Sequence, residues 1–200
     1  MLASGGGTNF GALIDAAARN ELGPAKLTVL GVNVAGCGAI VRAQAARIPH
    51  FVLDHKAFAS RAEFDRALVA KLHEHGVELV VLAGFMRLVG GDLLDAFQQR
   101  VINVHPALLP AFPGIHAQKQ AFDYGVKVAG CTVHFVDAGT DTGPIIAQVA
   151  VPVLDDDDED RLRVRILTEE HRLLPAAVRA VAEGRVKLEG RRVRIAGGNL

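Results

Sequence analysis

The sequence predicts an α/β fold: a Rossmann-like, open and mostly parallel sheet with helices on both faces, followed by a C-terminal β-hairpin. Short apolar runs with β propensity alternate with amphipathic helical patterns, which is typical of βαβ units. The run over residues 78–83 is mostly apolar without alternation, as in a strand buried on both faces. Half of the 200 residues are hydrophobic, which is enough to cover both faces of such a sheet.

Length and composition favour a single domain over residues 1–200. The formal net charge is 0, which argues against a nucleic-acid-binding surface because such surfaces usually carry a basic excess. Cys37 and Cys131 are too few for a disulfide framework, and no apolar run reaches the roughly 18 residues of a membrane span. We therefore expect a cytoplasmic monomer or homodimer that acts on small molecules, with neither a nucleic acid nor a membrane as partner.

The first element is a short strand end at residues 1–3, followed at once by a turn with three consecutive glycines at residues 4–9. A helical pattern covers about residues 10–19, and Thr8 or Asn9 is expected to cap its first turn. A glycine turn between a strand and a helix exposes backbone N–H groups that suit a phosphate, although a plain tight turn has the same pattern. The dinucleotide-binding fingerprint lacks its third glycine, so the sequence favours a monophosphate.

The later elements are predicted from the helical and strand periodicities. Helices are expected over residues 36–46, 61–75, 91–100, 117–124 and 161–183; strands over residues 27–34, 51–53, 78–83, 101–106, 127–136 and 145–153; and the hairpin over residues 185–195. The acidic run 155–160 is interpreted as a solvated loop whose carboxylates favour the N-terminus of the next helix. A calcium site is the alternative, but the run lacks the glycine and terminal glutamate of an EF-hand loop.

The strand over residues 101–106 is expected to carry the chemistry, because alternate side chains share a face and Asn103 and His105 are alternate residues. Pro106 ends the strand, so this pair lies at the carboxyl edge of the sheet, where ligands bind in open α/β folds. A carboxylate from a later turn-rich loop, Asp141, would raise the pKa of the imidazole and hold its orientation. The Asn103 amide could donate a hydrogen bond to a developing oxyanion.

Asn103, His105 and Asp141 together suit acyl transfer to an amine without a covalent intermediate, since no serine or cysteine nucleophile is evident. Two alternatives stay open on the residues alone. The histidine could be a satisfied structural group. A metal could instead be bound by His105, His116, His134 and Asp141, whose spacing matches no familiar zinc pattern.

Two further stretches are expected to wall the same edge. Residues 84–89 follow the buried strand and bring apolar side chains to the edge, which suits a flat aromatic ligand or ordinary packing. Prolines and a glycine make residues 107–116 a stiff, non-helical loop of the kind that often borders a site.

Several motifs, each weak alone, occur together in one order along nearly the whole chain: Ser4-Gly5-Gly6-Gly7-Thr8-Asn9, Gly84-Phe85-Met86-Arg87, Asn103-Val104-His105-Pro106 with Leu108-Leu109-Pro110 and Phe112-Pro113-Gly114, Thr132-Val133-His134-Phe135-Val136, Asp141-x-Gly143-Pro144, and Thr168-Glu169-Glu170-His171. In combination they resemble the folate-dependent formyltransferases, and among them the phosphoribosylglycinamide formyltransferase branch. The resemblance implies transfer of a formyl group from 10-formyltetrahydrofolate to the amino group of glycinamide ribonucleotide in purine biosynthesis, with no metal.

The resemblance also implies roles for individual residues. Asn103 and a protonated His105 would stabilise the oxyanion, and Asp141 would assist proton transfer. The ribonucleotide would be bound by Gly7, Thr8, Asn9, Phe10, Gly11 and Glu170, the last on its ribose. The folate would be bound by Arg61, Met86, Arg87, Leu88, Val89 and Asn103.

One departure and three competing interpretations follow from the same resemblance. Only three residues precede Ser4, where such enzymes usually have a full strand, so we expect the first strand to be truncated. The initiator-tRNA formyltransferase carries an extra C-terminal domain, and the formyltetrahydrofolate hydrolase carries an N-terminal regulatory domain; neither has a counterpart in this sequence. A non-catalytic nucleotide-binding module would need the glycine turn but not Asn103, His105 and Asp141 together.

Overall fold

A computed structural model of the chain describes residues 1–198 and residue 200. Its strands are β1 (Leu2–Ala3), β2 (Leu30–Val32), β3 (His50–Val52), β4 (Val80–Ala83), β5 (Val101–His105), β6 (Val128–Phe135), β7 (Ile145–Pro152), β8 (Val186–Glu189) and β9 (Arg192–Ile195). Its helices are α1 (Thr8–Ala18), α2 (Gly38–Ala45), α3 (Arg61–Glu74), α4 (Gly91–Ala96), α5 (Ala117–Tyr124) and α6 (Glu159–Ala182). Across this part of the chain, no helix combines the length and apolar character that crossing a membrane requires.

Seven strands form one sheet in the order β3-β2-β1-β4-β5-β6-β7. The strands from β3 to β5 are parallel, whereas β6 pairs antiparallel with β5 and β7 pairs antiparallel with β6. β8 and β9 form a separate antiparallel hairpin. The predicted open, mostly parallel sheet with a C-terminal hairpin is confirmed. The strand order reverses between β1 and β4, and such a switch point opens a crevice at the carboxyl ends of the strands.

Two apolar cores cover the two faces of the sheet. Along β4, Val80 and Leu82 belong to the core that includes α3 and α4, whereas Val81 and Ala83 belong to the core that includes α1 and α6. Because successive side chains of a strand point to opposite faces, this alternation shows that helices cover both faces, as predicted. The hairpin packs on the second of these cores through residues such as Val193.

Several predicted boundaries differ from the structure. The strand expected over residues 27–34 is confined to β2, and the helix expected over residues 91–100 ends at Ala96, because Phe97 leaves the helical backbone conformation. The predicted cap of α1 is wrong. Thr8 and Asn9 are already helical, and Gly7 is the N-cap with a left-handed φ of 67° and no side-chain cap hydrogen bond. Only glycine adopts that backbone conformation without steric cost, so the third glycine of the turn starts the helix.

The acidic run before α6 provides the N-cap of that helix, in agreement with the interpretation of its carboxylates as favouring the helix N-terminus. Asp158 is the N-cap, and its side chain accepts a hydrogen bond from the backbone N–H of Arg161 at 2.8 Å. Asp157 forms an ion pair with Arg165.

Candidate active site

The predicted pair lies at the end of β5, between β4 and β6. His105 is buried with 4% of its surface exposed, and Asn103 is half-buried. The antiparallel register pairs Asn103 with His134 and His105 with Thr132. Residues directly opposite each other in an antiparallel pair project on the same side of the sheet. β6 therefore adds a second imidazole, that of His134, to the face that carries Asn103 and His105.

Asp141 reaches this face from the loop between β6 and β7. Its Oδ2 lies 3.3 Å from Nδ1 of His105, while its Oδ1 accepts a hydrogen bond from Nδ2 of Asn103 at 3.4 Å and lies 3.5 Å from Nε2 of His134. The backbone N–H of Gly114 donates to Oδ2 at 2.8 Å. The structure thus brings Asn103, His105 and Asp141 together with His134, and we call these four residues the polar cluster. Their catalytic roles stay predictions.

The surroundings keep the Asp141 carboxyl ionised in a strained loop. Burial alone raises its pKa, but the contacts with His134, the Gly114 N–H and the nearby His105 ring outweigh burial and hold the pKa below its usual value. The φ of Asp141 is 54°, a left-handed conformation that costs a non-glycine residue about 1–3 kcal/mol. Its hydrogen bonds offset this cost, so the loop presents a charged carboxylate to the cluster.

Opposing influences act on the protonation of His105. Its Nε2 lies 2.8 Å from the carbonyl oxygen of Phe112, which can only accept, so Nε2 carries a hydrogen. Burial lowers the pKa of the ring, although the Phe112 carbonyl and the Asp141 carboxylate act to raise it. Desolvation thus opposes the charged state predicted for this ring, whereas the Asp141 carboxylate favours it, so the protonated ring stays a prediction. In either state the ring offers Nε2–H as a donor, and its Nδ1 faces Asp141.

His134 is a partner of Asn103 that the reading of the sequence missed. Its Nδ1 lies 2.8 Å from the carbonyl oxygen of Phe135 and so carries a hydrogen, and its Nε2 lies 3.1 Å from Nδ2 of Asn103. Nδ2 of Asn103 also donates to Oδ1 of Asp141, so both partners of this amide lie within the polar cluster, and its predicted donation to an oxyanion stays a prediction. The pair depends on the register of β6 against β5, which the sequence pattern does not give.

The glycine turn after β1 is packed against α2. A Cβ on Gly7 would lie 2.7 Å from Cβ of Ala39, so close packing as well as the positive φ requires glycine there. The carbonyl of Gly5 accepts from the backbone N–H of Ala39, and the carbonyl of Gly6 accepts from Nε of Arg42, both at 3.0 Å. These contacts hold the turn from its carbonyl side.

The opposite side of the turn borders a cleft of about 280 Å³, lined by Ser4, Gly5, Gly6, Gly7, Thr8, Asn9, Ala83, Gly84 and Met86. Within the described chain, the backbone N–H groups of residues 5–9 have no hydrogen-bond partner. The N–H of Gly11 differs, since it bonds to the carbonyl of Gly7 at 2.9 Å. The side chain of Phe10 lies fully in the core. Of the predicted ribonucleotide residues, Phe10 can therefore offer only its backbone, and Gly11 has no free N–H.

Glu170 extends from α6 towards the start of α1. Its Oε2 accepts from Nδ2 of Asn9 at 2.7 Å, and only 5% of Glu170 is exposed. Burial raises the pKa of this carboxyl, and the Asn9 hydrogen bond opposes that rise. Oδ1 of Asn9 is buried and has no partner among the residues that the structure describes. The structure thus places Glu170 against Asn9 beside the glycine turn, and its predicted contact with the ribose stays a prediction.

Four of the predicted folate residues lie on the loop from β4 to α4, which we call segment 84–90; of the other two, Arg61 begins α3 and Asn103 is on β5. Met86 is 69% and Leu88 57% exposed, whereas Val89 is buried in the core. The guanidinium of Arg87 lies over the ring of Phe64, 5.1 Å from its centroid. Among the predicted folate residues, Met86 and Leu88 therefore present apolar side chains to solvent, and Val89 does not.

Ser4 connects segment 84–90 to the glycine turn. Its Oγ accepts from the backbone N–H of Met86 at 2.9 Å and donates to Oδ1 of Asn33 at 2.6 Å, while its own N–H donates to the carbonyl of Gly84 at 3.0 Å. The polar cluster is next to this junction, since the register pairs Ala83, which lines the cleft, with Val104 of β5. The predicted phosphate turn, folate stretch and catalytic residues thus share one edge of the sheet.

The metal alternative receives no support from the geometry. Over the described part of the chain, no three His, Cys, Asp or Glu side chains are grouped so that they could hold a metal ion.

Comparison with known proteins identifies relatives of the whole chain. The family described as formyl transferase matches residues 1–178. A phosphoribosylglycinamide formyltransferase of Mycobacterium tuberculosis is 49% identical over 191 residues, which are 96% of this chain and 87% of that protein. The trifunctional purine biosynthetic protein adenosine-3 of Drosophila melanogaster is 46% identical over 92% of this chain, but the chain spans only 14% of its length. The crystal structure of glycinamide ribonucleotide transformylase 1 from Symbiobacterium toebii is 52% identical, with a TM-score of 0.95 over 97% of this chain and 91% of that one.

Proposed function

The chain belongs to the formyl transferase family, in its phosphoribosylglycinamide formyltransferase branch, and we propose that it transfers the formyl group of 10-formyltetrahydrofolate to the amino group of glycinamide ribonucleotide. One observation carries the proposal beyond family membership. The polar cluster includes the end of β5, which pairs with β4, and the last residue of β4 lines a cleft that has the glycine turn on one wall and Gly84 and Met86 of segment 84–90 on the other. A phosphate-bearing acceptor and an aromatic donor can therefore meet where an amide, an imidazole and a carboxylate converge.

The glycine turn supports the ribonucleotide end of this proposal. Free backbone N–H groups at the start of α1 suit a phosphate, which Gly7, Thr8 and Asn9 would bind through the backbone. The carboxylate of Glu170 is an acceptor that Nδ2 of Asn9 orients, so it suits the hydroxyl groups of a ribose. Placing the phosphate at the turn and the ribose at Glu170 directs the amino group of the acceptor towards the polar cluster.

Segment 84–90 supports the folate end. Met86 and Leu88 offer an exposed apolar surface against which a pterin ring can lie. In the described chain, the backbone N–H and C=O groups of residues 87–89 make no hydrogen bond with the rest of the protein, so they are available to the polar edge of that ring. Val89 would contribute its backbone only. The exposed cation of Arg61 suits a carboxylate of the glutamate tail.

The chemistry requires donors for the formyl oxygen. The acceptor amine attacks the formyl carbon, a carbon–nitrogen bond forms, negative charge gathers on oxygen, and the bond to N10 of the folate then breaks. Nδ2 of Asn103 and Nε2 of His105 are the donors, oriented in advance by protein acceptors. To donate to the formyl oxygen, Asn103 must give up its longer hydrogen bond, which goes to Asp141. His105 must give up its hydrogen bond to the Phe112 carbonyl. A donor of this kind typically contributes about 2.7–4 kcal/mol.

A proton must also move, because the attacking nitrogen loses one and the leaving nitrogen gains one. Asp141 is ionised and lies 3.3 Å from Nδ1 of His105, so carboxylate and ring can receive the proton and return it. Counted from the neutral amine, the transfer itself neither takes up nor releases a proton. General acid–base catalysis of this sort contributes about 10²–10⁴-fold.

Assays with three acceptors test the proposal. The chain is incubated with 10-formyltetrahydrofolate and glycinamide ribonucleotide, initiator methionyl-tRNA, or water alone, and the formylated product and released tetrahydrofolate are quantified. We expect formylated ribonucleotide in equal amount to tetrahydrofolate, with neither tRNA formylation nor appreciable hydrolysis. Release of tetrahydrofolate at the same rate without acceptor, or no turnover with the ribonucleotide, would contradict it.

A further inference from the structure

A buried carboxylate outside the polar cluster stands out beneath segment 84–90. Asp65 lies in the first turns of α3, where the Ser60 side chain caps the helix by accepting from the backbone N–H of Glu63 at 3.2 Å. Phe64 and Asp65 lie on the inward face of this part of the helix, and only 1% of Asp65 is exposed. Aspartate is almost never buried this fully unless it is paired.

The partner of Asp65 is a backbone group, not a cation. Its Oδ2 accepts from the N–H of Gly90 at 2.6 Å, whereas its Oδ1 has no hydrogen-bond partner among the described residues. A buried acceptor without a partner costs about 1–3 kcal/mol, a cost that an apolar residue at this position would not carry. Such a group requires an explanation from its position or function.

Gly90 shows how closely the two groups are fitted. A Cβ on Gly90 would lie 2.3 Å from Oδ2 of Asp65. The backbone of Gly90 has a φ of −101°, which any residue can adopt, so the carboxylate and not the backbone conformation requires glycine. Asp65 therefore fixes the C-terminal end of segment 84–90, just as Ser4 fixes its N-terminal end through Gly84 and Met86.

Two arginines with predicted folate contacts surround the same carboxylate. Nε of Arg61 would lie 3.4 Å from a Cβ on Gly90, and Arg87 stacks on Phe64, the residue that precedes Asp65. Burial raises the pKa of Asp65, while the charges of Arg61 and Arg87 act to lower it. The carboxylate is thus close enough to influence both cations.

We propose that Asp65 is a positioning residue for folate binding: its hydrogen bond to the Gly90 N–H holds the exposed backbone and apolar side chains of residues 86–89 in the conformation that accepts the pterin ring. This inference rests on the proposed function. Asp65 does not touch the substrate and acts only through segment 84–90. A ligand surface with hydrogen bonds to the protein only at its two ends keeps its shape only if both ends are fixed, and preorganisation of that kind strengthens binding.

Two substitutions separate the hydrogen bond from the charge. Asp65→Asn retains an oxygen that can accept from Gly90 but removes the charge, and Asp65→Leu removes both at similar volume. We expect Asp65→Leu to raise the KM for 10-formyltetrahydrofolate at least about tenfold, with kcat and the KM for glycinamide ribonucleotide within about twofold of wild type. Asp65→Asn should recover most of the folate affinity. Asp95→Asn on the outer face of α4 is the matched control and should leave all three constants unchanged.

The contact is also tested from its other side, which keeps the proposal falsifiable if Asp65→Leu unfolds. Gly90→Ala places a methyl group against Oδ2 and should raise the folate KM in the same selective way. Binding of folic acid measured by calorimetry should weaken in parallel in each folded variant, as judged by circular dichroism. Unchanged folate KM in a folded Asp65→Leu or Gly90→Ala protein, or an equal rise in both KM values, overturns the inference. Absence of formyl transfer by the wild-type chain would instead overturn the proposed function.

Discussion

The polar cluster and segment 84–90 face the same edge of the sheet but are held in opposite ways. In the cluster, His105 and His134 are 4% and 1% exposed, and each of the four side chains contacts another member. In segment 84–90, Met86 and Leu88 are largely exposed, and hydrogen bonds to the rest of the protein occur at the two ends only.

This difference separates chemistry from binding. Groups that meet charge developing in a transition state work best when they are oriented beforehand in a site shielded from water, and the cluster has that character. A surface that accepts a ring must stay open, as segment 84–90 and the glycine turn do. We therefore expect substitutions in the cluster to lower kcat and substitutions in the two binding regions to raise KM.

The largest effect should follow from His105→Ala. Loss of the Nε2 donor and of the Nδ1 that faces Asp141 should lower kcat by about 10²–10⁴-fold with little change in either KM. Steady-state formylation of glycinamide ribonucleotide measures this. His50→Ala, at an exposed position on β3, is the matched control. A His105→Ala enzyme with wild-type kcat would contradict the assignment of catalysis to the polar cluster.

Gly7→Ala should have the next largest effect, at the phosphate end. The added methyl would lie 2.7 Å from Cβ of Ala39, on a left-handed backbone that costs alanine about 1–2 kcal/mol. We expect the KM for the ribonucleotide to rise about tenfold or more, with kcat at saturation nearly retained. Gly76→Ala introduces the same backbone strain in a turn with open space around it and should leave this KM unchanged. Equal effects of the two substitutions would indicate general destabilisation.

Ser4→Ala should have a smaller effect, on the folate side. It removes the hydroxyl that accepts from the Met86 N–H and donates to Asn33. A typical hydrogen bond contributes about 0.5–1.5 kcal/mol net, so the KM for 10-formyltetrahydrofolate should rise about two- to tenfold. The same kinetic series should show kcat within about twofold of wild type. A lower kcat with an unchanged KM for 10-formyltetrahydrofolate would instead indicate that Ser4 contributes to catalysis, as the polar cluster is expected to do.

The smallest expected change is in the pKa of the His105 imidazole. Because burial outweighs its neighbours, its pKa should lie below the ordinary value of 6.5, and the ring should gain its second proton only at lower pH. Asp141→Asn removes a group that raises this pKa, so the pKa should fall further. Titration of the imidazole nitrogens by NMR measures both values. An upward shift in Asp141→Asn would contradict the electrostatic description of the cluster.

The sequence predicted those features that depend on local pattern. The two-residue period of β5 placed Asn103 and His105 on one face, and the glycine turn marked the start of α1 to within about two residues. Features that depend on depth or on strand register could not be predicted. The lowered pKa of His105 follows from how deeply the finished sheet buries the ring, and the occupied amide of Asn103 follows from the pairing of β6 with β5. Asp65 could not be singled out either, because it lies within a regular helical pattern and its partner, Gly90, is distant in the sequence.

The central claim is that an ionised Asp141, in contact with His105 and Asn103, moves the proton during formyl transfer. Single-turnover formylation of glycinamide ribonucleotide by Asp141→Asn, at saturating concentrations of both substrates, tests it most directly. We predict a rate of transfer at least about 10²-fold below wild type, with both substrates still bound and the fold unchanged. A single-turnover rate within about twofold of wild type would contradict the account.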